Sequence, residues 1–532
     1  MKFFFTFLLS FLSIFNVYAQ DLYLIKLKEK ENISNNLSNP LKIISQKSLD
    51  RRIKYNIDLD EKDIPISQDR INKIKNLPLN YIGHTKWLNT IMVEISDLSV
   101  ISKIEELSFV ESVNTMVRNK NLSDFTKRDS KWTDLNSKKV NYDYGKSNDF
   151  IEQLNLKPLH DQGYLGNDVY IGVIDAGFPG VDKIVAFENL RNDNRILDTY
   201  DFVSKKKNVY DSNSHGTMVL STMATEINGI YIGTAPKATY SLYISEDNDS
   251  ETPKELLYWI QAAERADSVG VDIINTSLGY NTFDDSRYDY TYEDMNGKTT
   301  LISLGAQVAV DKGILVVTSA GNEGSKSWKY ITSPADVVDV FTVGANNLYK
   351  TAASFSSYGP NAMNDLKPNV SALGSLVPLY SQNGQQTYNN GTSFSSPITA
   401  GAMSILLQKF PKIELALLKD KVQKSAHLYS NPTNQLGYGI PDYYKASQEL
   451  LETRETKLNK QLNIYPNPFN NEIVIQSNNK EMSIEIYNVA GQKVLSFYNQ
   501  EKINTSSLKS GVYLIKIQDK KGNNYIEKIV KK

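Results

Sequence analysis

Hydrophobic and polar positions along this chain fall into four regimes, each predicting a different kind of structure. The first is "MKFFFTFLLSFLSIFNVYAQ", one Lys, an apolar run from Phe3 to Phe15, then Val17-Tyr18-Ala19. That run is too short and wrongly flanked for a spanning helix, so 1–19 is expected to be a secretory signal removed at a small-residue site. From 20 to about 147 the chain is Lys-, Asn- and Ser-rich with short apolar patches. Here "TIMVEIS" (90–96) alternates like a strand, and Ile101, Ile104 and Leu107 recur at helical spacing ahead of "SFVESV". A small α+β module is predicted, either a propeptide or an independent domain.

The third regime, 148–447, carries unbroken apolar runs separated by helical stretches: "VYIGVI" (169–174), "VDIINTSLG" (271–279) and "GILVVTSAGN" (313–322). Such runs predict an α/β fold, a parallel sheet covered by helices on both faces, with its site at the carboxyl ends of the strands. Each of the three runs ends in polar or glycine residues. Residues 448–461 are charged and read as a linker or a last surface helix. The final regime, 462–532, has short alternating strands with Pro, Asn and Gly turns, the pattern of a small all-β sandwich.

Composition narrows the function. At 532 residues the chain exceeds what one core organises, and its 40% hydrophobic content supports globular domains. Lys plus Arg (59) and Asp plus Glu (60) nearly cancel, leaving no broad electrostatic footprint for nucleic acid or an anionic membrane. The absence of cysteine excludes disulfides, thiolate catalysis and Cys-ligated zinc. Of the four histidines, His84, His160 and His427 have no local catalytic pattern and read as surface or packing residues.

His215 differs: "DSNSHGTMVLSTMA" places it after polar turn residues and at the start of a small-residue helix. From there one imidazole nitrogen can face a nucleophile while a carboxylate holds the other; taken alone, capping or packing is the commoner role. Asp175 follows a buried strand and is either that carboxylate or a turn-forming Asp. In "NNGTSFSSPITAGAMSILLQ" (389–408) an apolar helix should begin near Ser393, because Pro397 is tolerated only in a first turn. Ser393 then sits at the positive helix end, its N–H free for an oxyanion, while Ser395 and Ser396 rotate into the first turn. Asn322, directly after an apolar strand, offers a neutral amide donor or is a strand-ending turn residue.

"VIDAGF" with Asp175, "SHGTMV" with His215, "SLG" at 277–279, "SAGN" with Asn322 and "GTSFSSP" with Ser393 resemble, in this order, the motifs of subtilisin-like serine peptidases. "GTAPKA", "TVGA", "SFSSYGP" and "KPNVSALG" extend the likeness over nearly all of 150–447. Ala176, Met218 and "FSS" (394–396) depart from the family's usual residues without removing a reacting group. The resemblance implies Ser393 as nucleophile, His215 as proton carrier, Asp175 as its orienter, and Asn322 with the Ser393 N–H as oxyanion donors. It further implies that Ser277, Leu278 and Gly279 pair with an extended peptide substrate and, with Ser319, Ala320 and Gly321, wall the primary specificity pocket.

Residues 281–300, "NTFDDSRYDYTYEDMNGKTT", read as a Tyr- and Asp-rich surface insertion. Its "DMNGKT" lacks most ligands of a calcium loop and reads as an exposed acidic turn, so structural calcium is possible but unsupported; the serine mechanism implied by the resemblance requires no cofactor or metal. The tail from "IYPNPFNN" onward resembles the C-terminal sorting domain of the type IX secretion system of certain Gram-negative bacteria, and "SLDRRIKYNIDLDEKDIPIS" resembles the propeptides of subtilases that carry such tails. The expected organisation is a signal peptide (1–19), a propeptide and activation region (20–147), a peptidase domain (148–447), a linker (448–461) and a sorting domain (462–532). The expected partners are protein or peptide substrates and the secretion machinery, with export through the periplasm to the medium or cell surface. A catalytically silent binding protein of the same fold is the competing class.

Overall fold

A computed structural model describes residues 20–118, 143–477, 481–489, 491–520 and 524–532. The expected signal peptide and residues 119–142 of the expected propeptide and activation region lie outside them. The chain divides into two compact units, 1–444 and 445–532.

The first unit opens with β1 (Asp21–Leu27), α1 (Gln46–Tyr55), α2 (Gln68–Lys75), β2 (Asn80–Thr85), β3 (Thr90–Ile95), α3 (Ser99–Glu105) and β4 (Val110–Thr115). The strands form one antiparallel sheet in the order β2-β3-β1-β4. Strand alternation sends Ile91, Val93 and Ile95 of β3 into a core with Ile71 and Ile74 of α2 and Val100 and Ile104 of α3. Met92 points the other way, into the large core of the following domain. The module therefore has a core of its own and a second, apolar sheet face seated on its neighbour.

That neighbour contains β5 (Tyr170–Asp175), β6 (Ile196–Asp201), α4 (His215–Ala224), β7 (Thr239–Ile244), α5 (Lys254–Val269), β8 (Ile273–Thr276), α6 (Leu301–Asp311), β9 (Leu315–Ser319), β10 (Phe341–Asn346), β11 (Val370–Leu373), the hairpin β12 (Val377–Tyr380) and β13 (Gln386–Asn389), α7 (Thr392–Lys409) and α8 (Leu415–Ser425). Seven strands form a parallel sheet in the order β11-β10-β9-β8-β5-β7-β6. Ile174, Ile274 and Val316 face the layer of α5 and α6. Asn275, one residue on from Ile274, faces α7 on the opposite side, where Ser396 Oγ donates to its Oδ1 (2.8 Å). All four residues of β8 are buried, as an apolar run without alternation requires.

Two expectations need correction. The helix α7 begins at Thr392, next to the expected start at Ser393, but Pro397 lies beyond the first turn, five residues past Thr392. The helix continues because the carbonyl that Pro397 cannot serve, that of Ser393, accepts instead from the Ser277 hydroxyl (2.8 Å). The 281–300 insertion is not a simple surface loop. Phe283, Tyr288, Tyr290 and Met295 are buried in the main core, and Asp294 of the expected exposed turn is buried, closing a capping box with Thr291.

The helix α9 (Tyr443–Gln461) takes in the charged 448–461 stretch. Within the second unit, β14 (Leu462–Tyr465), β15 (Glu472–Ser477), β16 (Met482–Asn488), β17 (Lys493–Tyr498), β18 (Lys502–Asn504), β19 (Gly511–Asp519) and β20 (Asn524–Lys531) make two antiparallel sheets, β14-β15-β18 and β17-β16-β19-β20. Ile473, Ile475, Ile484, Ile486, Ile515 and Ile517 fill the core of this unit. Among the described residues no helix is long and apolar enough to cross a membrane.

Candidate active site

Asp175 is the last residue of β5, 2% exposed, at the carboxyl edge of the sheet. His215 is the first residue of α4. Two glycines let the two elements meet. A Cβ on Gly177 would stand 2.6 Å from the Asn213 carbonyl, and one on Gly216 would stand 2.5 Å from the Gly177 carbonyl. With both absent, His215 Nδ1 lies 2.7 Å from Asp175 Oδ1, which also accepts from the Ala176 N–H (2.8 Å). Burial works to lower the His215 pKa, but the charge and hydrogen bond of Asp175 outweigh it and hold the imidazole above its usual 6.5.

Ser393 is the second residue of α7, where a first-turn N–H has no intrahelical acceptor. Its hydroxyl donates to the Ser277 carbonyl (3.2 Å) rather than to His215. Phe394 carries the helix start up to the imidazole, with ring centroids 5.7 Å apart. The neighbouring hydroxyls are committed elsewhere: Ser395 donates to the Ala372 and Leu373 carbonyls (both 3.1 Å) and Ser396 to Asn275, and both serines are fully buried. Of the three, Ser393 is the one residue that retains any opening to solvent.

Asn322 follows β9 and the Ser319-Ala320-Gly321 segment. Its Oδ1 accepts from both the N–H (2.9 Å) and the hydroxyl (3.0 Å) of Thr392. Fixing the oxygen fixes the amide, so Nδ2 is the end left to donate; a Cβ on Gly391 would lie 3.7 Å from it and 3.6 Å from the Ser393 nitrogen, so both donors border the same glycine. The Thr392 hydroxyl also accepts from the Gly321 N–H (3.2 Å), tying the end of β9 to the start of α7. Thr392 is thus a positioning residue that the sequence reading passed over, although its place immediately before the helix-starting serine was a signal.

The two segments expected to wall the specificity pocket meet as well. Ser277 exchanges hydrogen bonds with Ser393, Ser319 Oγ donates to the Leu278 carbonyl (3.5 Å), and Ala320 is buried. A Cβ on Gly279 would lie 2.1 Å from Thr332 Oγ1, and one on Gly321, which holds φ at +106°, 3.1 Å from the same atom. The Thr332 hydroxyl, buried and without a hydrogen-bond partner, therefore stands between the two glycine walls. No pattern in the sequence around it marks Thr332. Among the described residues no group of three or more His, Asp or Glu side chains is placed to hold a metal ion.

Residues 166–439 match the subtilase family, 22–134 the peptidase S8 propeptide domain of Bacteroidota, and 463–532 the secretion system C-terminal sorting domain. Subtilisin E from Bacillus subtilis is 33% identical over 301 residues, 56% of this chain and 70% of the relative. A subtilisin from Bacillus pumilus is equally similar, with 98% of its length covered. The fold is shared with the epidermin leader peptide processing serine protease of Staphylococcus aureus, at TM-score 0.55 and 17% identity over 81% of this chain and 98% of that one. The leading module, the serine-bearing domain and the tail thus each match a known type, and the chain belongs to the subtilase family of serine peptidases.

Proposed function

We propose that the chain is an exported serine endopeptidase acting through Asp175, His215 and Ser393. Ser393 Oγ attacks the scissile carbonyl carbon while His215 takes the hydroxyl proton and Asp175 stabilises the resulting imidazolium. The carbonyl oxygen becomes an oxyanion held by Asn322 Nδ2 and the Ser393 N–H. Collapse breaks the C–N bond, with the proton passing from His215 to the leaving amine. Water, deprotonated by His215, then hydrolyses the acyl-enzyme and returns Ser393. Before attack, the Ser393 hydroxyl turns from the Ser277 carbonyl toward His215; such bonds commonly tighten only when substrate is bound. The extended peptide pairs with Ser277, Leu278 and Gly279, and its primary side chain lies between that segment and Ser319, Ala320 and Gly321.

The observation that carries this reading is the orienting clamp: Asp175 on His215 at 2.7 Å, and Thr392 on Asn322 at 2.9 Å, with the imidazole against Phe394 and the amide against Thr392, the two neighbours of Ser393. A silent binding protein has no use for an amide oxygen held twice so that its nitrogen points at a helix start. Hydrolysis of a denatured protein by the wild-type chain and its loss in Ser393→Ala test the enzyme; folded wild type without turnover favours the silent alternative. The leading part is removed on activation, and 462–532 serves export through the periplasm across the outer membrane. Cell fractions of full-length and 1–461 chains test the tail: active protease trapped in the periplasm is expected, and normal secretion of the truncated chain would rule out sorting.

A further inference from the structure

The stretch "SLDRRIKYN" carries two adjacent arginines that the mechanism does not use. Both leave the leading module and lie, 2% and 1% exposed, at the C-terminal ends of α5 and α6 of the peptidase domain. The Arg51 guanidinium donates to carbonyls at both ends, those of Val271 and Asp267 beside α5 and that of Lys312 (3.3 Å) beside α6, and pairs with the Asp267 carboxylate. Arg52 Nη2 donates to Asp267 Oδ2 (2.7 Å) and to Asp63 Oδ1 (3.0 Å). Lys312 crosses the other way, from α6 to Asp63 (2.8 Å) and Asp60 (2.6 Å) of the leading module.

The backbone is shaped for this contact. Gly270 and Gly313, at φ +97° and +80°, end the two helices, and a Cβ there would meet Lys47 at 2.5 Å and Tyr55 at 2.9 Å. Cations are favoured at helix C-termini, and a planar guanidinium can serve several carbonyls at once. Yet Arg52 leaves Nε and Nη1 buried without partners. Hydrogen bonds to a buried carboxylate are roughly twice as strong as neutral ones, so removing one donor leaves part of its desolvation unrepaid, and a buried ionic contact also specifies its partner.

We propose that Arg51 and Arg52 are the lock that retains the leading module on the peptidase domain after the chain between them is cut, and that the Asp267–Lys312 seat is specific for a helix bearing two adjacent arginines. This rests on the peptidase reading, since the cut is the enzyme's own or another protease's work. Departure of the module exposes Asp267 and Lys312 together, so release is a single event set by this contact, and the onset of activity follows it.

The test uses the whole chain. Wild type and Arg52→Met are held until gels show cleavage between the modules, then passed over a sizing column, with the leading fragment quantified by mass spectrometry and peptide hydrolysis followed in parallel. In Arg52→Met, Asp267 keeps Arg51 and Asp63 keeps Lys312, so no charge is orphaned and the chain folds. The fragment co-elutes with wild type, whereas co-elution falls at least tenfold in Arg52→Met and activity appears at least tenfold sooner. Asp267→Asn, changed from the other side, does the same. Equal retention in folded, cleaved Arg52→Met overturns the proposal. Should Arg52→Met not accumulate, Arg52→Lys, which keeps the charge without the fork, is read the same way, and failure of both to fold would make the pair a folding element instead. A wild-type chain that is never cut leaves no separate fragment to retain and overturns the proposal, whereas a folded, cut wild type that hydrolyses no peptide after the fragment has left refutes the peptidase reading itself.

Discussion

Replacing Thr392 with Val removes one hydroxyl and nearly nothing else. Thr392 is fully buried, and Val preserves its shape. Two bonds go, the 3.0 Å bond to Asn322 Oδ1 and the 3.2 Å bond from the Gly321 N–H, while the 2.9 Å bond from the Thr392 N–H to Asn322 remains. One of the two restraints on the amide is therefore lost. A net hydrogen bond contributes about 0.5–1.5 kcal/mol, so kcat should fall roughly 2- to 13-fold if that energy is realised in the transition state. KM should hold, because the oxyanion forms only after binding. The unpaired Gly321 N–H should lower stability by about 1–3 kcal/mol.

Asn322→Ala removes the donor itself, and roughly 10²–10³-fold of kcat is expected to go with it, a scale established on a subtilisin. The decisive assay is the double-mutant cycle with a chromogenic peptide. If Thr392 acts through Asn322, Thr392→Val has no further effect on kcat in the Asn322→Ala background. Full multiplication of the two losses, or a change confined to KM, would refute the clamp.

Ser393→Ala should abolish turnover, whereas Ser395→Ala and Ser396→Ala keep most of it; Ser396→Ala, which leaves Asn275 Oδ1 short of a donor, should show a lower Tm, and equal loss of activity in all three folded variants would contradict the assignment. His215 must be neutral to accept a proton and its pKa is held above 6.5, so kcat/KM should rise with pH along a limb centred above 6.5 and, in Asp175→Asn, be centred lower; a wild-type midpoint below 6.5 would argue against the pairing. Thr332→Gly removes the side chain between the two walls and should raise kcat/KM for a Phe over an Ala primary residue by roughly 10- to 200-fold, read from a matched pair of peptide substrates.

The strands of the central sheet were legible because their runs lack alternation, which only double burial explains: β8 and β9 fall inside two of the quoted runs, and β5 overruns the other by Asp175 alone. The candidate site was legible because each proposed reacting group sits at an element end with its own local pattern. Pro397 led to the right helix start within one residue but not to its own place beyond the first turn, because the rule that bars proline from a helix interior assumes that no other donor serves the freed carbonyl; Ser277, 116 residues away in sequence, does so. The burial of 281–300 was hidden for a related reason. Its tyrosines and aspartates look solvated in sequence, but Tyr288 accepts from the Leu22 N–H (3.0 Å) and Asp294 pairs with Arg118 (2.5 Å), both partners lying in the leading module. Thr332 has no sequence signal at all, since only the convergence of two distant glycines gives its hydroxyl meaning.

The central claim is that one serine among three is a nucleophile activated by this particular histidine. The most direct measurement is covalent labelling of the whole chain with a fluorophosphonate, followed by mapping of the adduct by tandem mass spectrometry. The account predicts an adduct on Ser393 alone, absent in Ser393→Ala and strongly slowed in His215→Ala, with Ser395 and Ser396 unmodified. A folded, cleaved chain that takes no label, or takes it on another serine, would contradict it.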